Sequence, residues 1–212
     1  MKRKERLICI GISALFGISY IYLSFLVDKD VFRAIDYEIM IRWQNSISHI
    51  FDLPFSTLTL LGSSEITLLI LIIIFTAVLI VKRHMFFGLL LYPVIFIIEL
   101  VGKLLIYHPA PPITLNRYVL DFHLPSSFVV HTDFSYPSGH MARISFLSII
   151  LLFLLWIMKN SLTRKLALAV MIFTFVLITF ISRVYLGEHW LSDVVGGLIL
   201  GSGIATLAIS FW

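Results

Sequence analysis

Residues 7–27 read LICIGISALFGISYIYLSFLV, 21 positions without a charge. At the rise of an α-helix such a run covers about 30 Å, the thickness of a bilayer's hydrocarbon core. It is longer than a signal-peptide core, and no small-residue cleavage pattern of the Ala-x-Ala kind follows it, so it is expected to be a retained first span. Lys2, Arg3, Lys4 and Arg6 precede it. The whole chain shares its character: 59% of the 212 residues are hydrophobic and 13% charged, with a mean hydropathy of +1.01. A soluble domain carries about 45–50% apolar and 25% charged residues, so a soluble globule is excluded.

Working outward, four further apolar runs cover residues 56–81, 85–107, 166–181 and 191–212, and a fifth has its core at 144–158. Six spans of about 20 residues would use roughly 120 positions, leaving short loops. Between the first and second runs, Phe32, Ile35, Ile39, Trp43, Ile47 and Ile50 recur at three- and four-residue steps, which predicts an amphipathic interfacial helix within residues 28–54. The expected fold class is therefore all-α: six transmembrane helices in a single bundle, with that helix between spans one and two. No repeat, linker or low-complexity tract divides residues 1–212, so a single domain is expected.

The net charge of +4 and the pI near 9.3 would suit nucleic acid. The cations, however, cluster at span ends, Lys82, Arg83 and His84 after the second run and Lys159, Arg164 and Lys165 after the fourth, which is a topology signal. With the amino terminus inside, both termini are cytoplasmic and no nucleic-acid partner is expected. Lys29, Arg33, Arg42, Lys103, Arg117, Arg143 and Arg183 then fall on the outer side. Cys9, the only cysteine, lies inside the first run, so neither a disulfide framework nor a thiolate metal cluster is expected. Trp43, Trp190 and Trp212 read as interface anchors, and Glu65 as an outer-end cap or a bundle-facing polar contact.

Ionisable groups at membrane depth are costly and mark function. They gather at the outer ends of spans three to six, around a loop over residues 108–137 that Pro109, Pro111, Pro112 and Pro125 hold out of helix. Lys103 ends the third run, with Glu99 four residues earlier in the order that favours an ion pair on one helix face. Tyr136-Pro137-Ser138-Gly139-His140 precedes the fourth. Ser138 can cap the new helix and Gly139 lets a ligand approach the backbone, so the first-turn amides form an anion site; an ordinary helix start with an interfacial histidine is the plainer alternative. Before the sixth run stand Ser182-Arg183, five residues, His189, three residues and Asp193. On a helix beginning near His189, the i,i+4 spacing sets the Asp193 carboxylate beside the imidazole, holding one ring nitrogen's proton and freeing the other to attack. Arg183 offers a planar fork for phosphate oxygens. The alternative is a satisfied interfacial His-Asp pair with a snorkelling arginine. Together these groups suit phosphoryl transfer through a phosphohistidine, with His189 attacking and His140 first protonating the leaving oxygen and then activating water.

The three segments resemble the signature motifs of the type 2 phosphatidic acid phosphatase superfamily: Lys-x6-Arg-Pro, Pro-Ser-Gly-His and Ser-Arg-x5-His-x3-Asp. The second matches at Pro137 to His140, and the third matches without a gap at Ser182, Arg183, His189 and Asp193. The resemblance spans about half the chain, from Lys103 to Asp193. It implies a six-span membrane phosphatase with no metal or other cofactor. His189 is then the nucleophile, Asp193 its partner and His140 the acid, while Lys103, Ser138, Gly139 and Arg183 bind phosphate. The first motif departs from the pattern: Ala110 stands where the arginine belongs, followed by the expected Pro111. A charge-assisted hydrogen bond contributes about 1.5–3 kcal/mol, so an uncompensated loss weakens phosphate binding about tenfold to over a hundredfold. Arg143, Arg117 and His108 are possible substitutes, although Arg143 also reads as a snorkelling interfacial residue. His131 and Asp133 could suggest a metal site with His189 and Asp193, but no familiar ligand motif accompanies them.

The expected function is that of a membrane lipid-phosphate phosphatase working among membrane lipids in the cell membrane, its active site on the outer face. Phosphatidate, phosphatidylglycerophosphate and polyprenyl diphosphates such as undecaprenyl diphosphate all fit as substrate. A weakened homologue that binds lipid head groups, and a transferase in which a lipid hydroxyl replaces water, are the rival readings.

Overall fold

The structure, a computed structural model, describes residues 2–81, 86–120, 124, 132 and 134–212. Lys82, Arg83 and His84, and in the loop Pro125, His131 and Asp133, lie outside the described residues. Among the described residues the architecture is helical, with one isolated bridge between Pro109 and Phe134. The helices are α1 (Arg3–Asp28), α2 (Arg33–Ser46), α3 (Asp52–Thr59), α4 (Ser64–Val81), α5 (Phe86–Leu89), α6 (Tyr92–Leu105), α7 (Gly139–Ile157), α8 (Leu162–Tyr185) and α9 (Leu191–Ser210).

Among the described residues five helical segments are long and apolar enough to cross a membrane, and the pair His49–Gly62 and Ser64–Ile80, bent by 51°, raises the number to six if it is one span. The expected second run is thus broken. Ser63 adopts an extended ψ of 158° after a 3-10 turn at Leu60–Gly62, which ends one helix and starts the next. The Gly62 carbonyl freed by the break accepts from Arg143 Nε at 3.2 Å, so a helix-end acceptor that hydrocarbon would leave unsatisfied is paired inside the bundle. The third run is also divided, into α5 and α6, with Pro93 in the first turn of α6, where its missing N–H costs nothing.

Helix α9 is the axis of the bundle. Gly197 and Gly201 lie one turn apart, and a β carbon on either would collide with a backbone carbonyl of the facing segment, Ser138 O and Ala142 O respectively. Without side chains there, α7 and α9 approach until their backbones touch, the usual device where lipid supplies no hydrophobic drive between helices. Around the seam Ala142, Phe146 and Ile150 of α7 pack with Leu200, Ile204, Ala205 and Ala208 of α9, and Tyr92 and Ile95 close the cluster from α6. Helix α1 lies along α9, with Ser13 Oγ donating to Gly203 O at 2.9 Å and Arg6 Nε to Ser210 O at 2.7 Å. Its outer face, including Leu15, Ile18, Ile21 and Tyr22, is exposed, as expected for a helix facing lipid. Trp212, read from sequence as an interface anchor, is instead buried against the core cluster beside Phe153.

Helix α2 forms where the apolar period predicts a helix, but the face it buries carries two polar side chains around one methionine. Asp36, Met40 and Gln44, at four-residue steps, are buried, whereas Ile35 is exposed and Phe32, Ile39 and Trp43 are half-buried. Gln44 Nε2 donates to Leu115 O and Tyr185 O at 2.7 and 2.9 Å, and Asp36 accepts from the Ser192 backbone and hydroxyl at 2.9 and 2.7 Å. Those bonds turn α2 so that its polar stripe meets the start of α9, and the apolar residues flank it.

Candidate active site

The α8–α9 connection positions the third motif. Helix α8 ends at Tyr185, and the chain reverses through Gly187 at φ 70°, where a β carbon would also strike Leu115 O. A residue other than glycine pays strain in that left-handed conformation, so the turn selects it. Trp190 is extended and begins α9, and Asp193 one turn on is fully buried. Its Oδ2 accepts from the Trp190 amide at 3.0 Å and lies 3.2 Å from His189 Nδ1. A carboxylate at a helix N-terminus is favoured by the helix dipole, and this one also holds the imidazole by Nδ1, so that Nε2 is the nitrogen left for chemistry.

His189 is buried. Desolvation, reinforced by the positive charges of Arg183, Lys103 and Arg143, holds its imidazole well below the usual histidine range. The ring is therefore neutral near pH 7, the state in which a lone pair is available.

The second motif docks on the third. Ser138 N donates to Asp193 O at 3.0 Å, and Ser138 is the extended residue before α7. Its hydroxyl does not cap the helix as expected; Ser138 Oγ is buried with no hydrogen-bond partner among the described residues. Arg183 Nε is likewise buried and unpartnered. Buried donors without acceptors are costly, and the one on Ser138 stands at the N-terminus of α7, a place that suits an anion. His140, on the first turn of α7, is half-buried and packs on Gly62, where a β carbon would come within 3.0 Å of its Cδ2.

The cations approach from three helices. Lys103 Nζ donates to Glu99 Oε1 at 2.9 Å, the ion pair anticipated from the spacing. Arg183 Nη1 donates to Thr59 Oγ1 and, at 2.6 Å, to Glu188 Oε2. Arg143 is buried, not snorkelling: its Nη1 donates to Glu99 Oε2 at 2.6 Å, and its guanidinium lies 5.2 Å from the centre of the Phe96 ring. Its neighbours hold the side chain among the helices, so the interfacial expectation gives way to a position inside the site.

Arg117 lies elsewhere. Its Nη1 donates to Gln44 O at 2.8 Å and Tyr185 OH at 3.2 Å, which tie the loop to α2 and α8. His108 is buried behind Asp193, its Nε2 3.4 Å from Asp193 Oδ1, 3.8 Å from Asp36 Oδ2 and 3.1 Å from Ser192 Oγ. Ala110 is exposed on a cavity of about 720 Å³ lined also by Arg33, Asp36, Tyr37, His108 and Trp190. Sequence reasoning missed Asp36, Ser192, Thr59 and Glu188. Ser192 and Glu188 sit in the variable positions of the third motif, but Asp36 and Thr59 reach the site from distant segments and carry no local signal. Among the described residues no group of three or more His, Cys, Asp or Glu side chains is arranged to hold a metal ion.

The helices thus collect two histidines, a buried aspartate and three cations at one end of α7 and α9. The PAP2 superfamily model matches residues 83–212, and the chain belongs to that superfamily. Over 107 residues it is 34% identical to an undecaprenyl-diphosphatase of Sulfolobus acidocaldarius, a match covering 45% of this chain and 46% of that protein. The matched stretch is thus about half the length of that relative. In fold the chain is similar to a transmembrane PAP2 type phosphatidylglycerolphosphate phosphatase from Bacillus subtilis, with a TM-score of 0.74 at 22% identity over 94% of both chains. It is also similar to LpxE of Aquifex aeolicus, with a TM-score of 0.58 at 21% identity over 82% of this chain and 93% of that one.

Proposed function

We propose that this protein is a metal-independent lipid-phosphate phosphatase that works through a phosphohistidine. The observation that carries the reading is the His189 Nδ1 to Asp193 Oδ2 contact of 3.2 Å, which leaves Nε2 free beside a turn with unpartnered donors. In the first step Nε2 of His189 bonds to phosphorus in line as the bond to the leaving oxygen breaks, and His140 supplies that oxygen's proton. In the second, water attacks phosphorus, His140 takes its proton, and the nitrogen–phosphorus bond breaks to release inorganic phosphate. Asp193 stabilises the imidazolium character that His189 gains. Lys103, Ser138, Gly139 and Arg183 receive the phosphate oxygens.

The bent α3–α4 pair counts as one span in this reading, giving six, and α2 lies in the membrane interface. Residues 1–212 form one domain in the cell membrane, with both termini cytoplasmic and the site facing outward. A lipid then reaches the site laterally, its tail among the helices and its head at the α7 turn. Polyprenyl diphosphate is the first substrate to try, because the relative with 34% identity is an undecaprenyl-diphosphatase; phosphatidylglycerophosphate and phosphatidate follow.

Phosphate release by the purified protein from these three lipids in EDTA, beside His189→Ala, tests the proposal. Release that persists in chelator and vanishes in the variant is expected. Activity retained by His189→Ala removes the phosphohistidine route, and chelator inhibition reversed by a divalent ion removes metal independence. Head-group binding without turnover in the parent protein would instead favour the binder that Ala110 suggests.

A further inference from the structure

One end of α7 holds an arrangement that the mechanism above leaves unused. The Glu99 carboxylate lies directly against the Cα of Gly139, the first residue of α7, where an added β carbon would overlap it. One of its oxygens binds Lys103 Nζ at 2.9 Å and the other Arg143 Nη1 at 2.6 Å. A half-buried anion thus sits between two cations and the N-terminus of a helix, the surroundings that suit a phosphoryl group. Arg143 is only 4% exposed, and its Nε is anchored on Gly62 O at 3.2 Å, so its fork is held in place without the aid of Glu99 alone. Its charge, with those of Lys103 and Arg183, acts on the His189 imidazole, so all three cations lie within electrostatic reach of it. A guanidinium has five N–H donors in a planar fork, more than Gly62 and Glu99 consume.

We infer that Arg143 is a phosphate-binding residue of this chain, supplying from α7 a guanidinium that Ala110 cannot, and that Glu99 is an internal anion that phosphate displaces from Arg143 and Lys103. The inference rests on the phosphatase reading for its location, but its test does not require turnover. The two parts have opposite signs. Removing Arg143 takes away a charge-assisted contact, whereas neutralising Glu99 removes a competitor for the same donors.

The experiment is equilibrium binding of inorganic phosphate to the detergent-purified full chain, by calorimetry, for the parent, Arg143→Ala, Arg143→Lys and Glu99→Gln, with thermal melts of each. Arg143→Ala is expected to weaken binding about tenfold to a hundredfold. Arg143→Lys keeps the charge and the ion pair with Glu99 while losing the fork, so it keeps the protein folded if the alanine variant fails and should fall between the two. Glu99→Gln is expected to bind phosphate more tightly than the parent although it melts lower, a combination that a purely structural ion pair does not produce. Phosphate affinity in Arg143→Lys and Arg143→Ala within threefold of the parent, or no phosphate binding by the parent, overturns the Arg143 assignment. Weaker binding by Glu99→Gln overturns displacement and makes Glu99 a positioning residue. A parent that binds phosphate through Arg143 yet releases none from any lipid leaves this inference standing and sinks the phosphatase reading.

Discussion

At the scale of single residues, the site depends on one buried carboxylate. Asp193 Oδ2 serves both the Trp190 amide and His189 Nδ1, so it starts a helix and sets a tautomer at once. Asp193→Asn keeps the shape but offers His189 either an N–H or a weaker neutral acceptor. Phosphate release is expected to drop about a hundred- to ten-thousandfold, with the melting temperature changing far less than activity. The lowered His189 pKa has a second consequence. Protonation blocks attack, and because burial and the nearby cations keep the ring neutral below the ordinary histidine value of 6.5, the acid limb of kcat/KM set by His189 should lie below pH 6.5. Lys103→Met removes one of those cations and should move the acid limb toward higher pH. A limb at or above 6.5 in the parent, after substrate ionisation is subtracted, contradicts this electrostatic account.

At the scale of elements, the contact between α7 and α9 holds the second and third motifs in register, since Ser138 and Ala142 of one side face Gly197 and Gly201 of the other. Gly201→Ala gains helix propensity of about 1 kcal/mol but drives a methyl into the Ala142 carbonyl, an overpacking that costs about 1–3 kcal/mol, and neither backbone can withdraw without pulling the site apart. It should melt lower and lose activity together. Gly11→Ala, on the open face of α1 with nothing within 4 Å, should be neutral or slightly stabilising in the same melt. Equal effects at the two positions would mean that the seam is looser than its geometry indicates. The same element scale explains why α2 was only half legible. Its helical period is in the sequence, but Asp36 and Gln44 turn toward acceptors and donors on α9, the 113–115 turn and α8, which a one-dimensional pattern does not contain.

For the whole molecule, the proposed orientation places the loop over residues 108–120 outside. Thr114, exposed on that loop, should react as Thr114→Cys with an impermeant thiol reagent added to intact cells, in a Cys9→Ser background; labelling only after lysis reverses the orientation. The class of fold was legible because 59% hydrophobic residues in long uncharged runs leave a helical bundle as the solution that satisfies every backbone group in lipid. His189 and Asp193 were legible as a pair because they lie one helical turn apart, and His140 and Arg183 because short local motifs carry them. The breaks at Ser63 and between α5 and α6 were hidden inside runs that stay apolar throughout. The chain's sequence by itself determined where the long apolar runs lie and which side chains are candidates for the reactive groups, because hydropathy, i,i+4 spacing and turn-forming glycine act locally. Only the tertiary structure decided that Arg143 is buried on Glu99, that His108 stands behind Asp193 and that Thr59 meets Arg183, because each of those pairs joins segments brought together by the packing of α6, α7 and α9 and by the bend after α3.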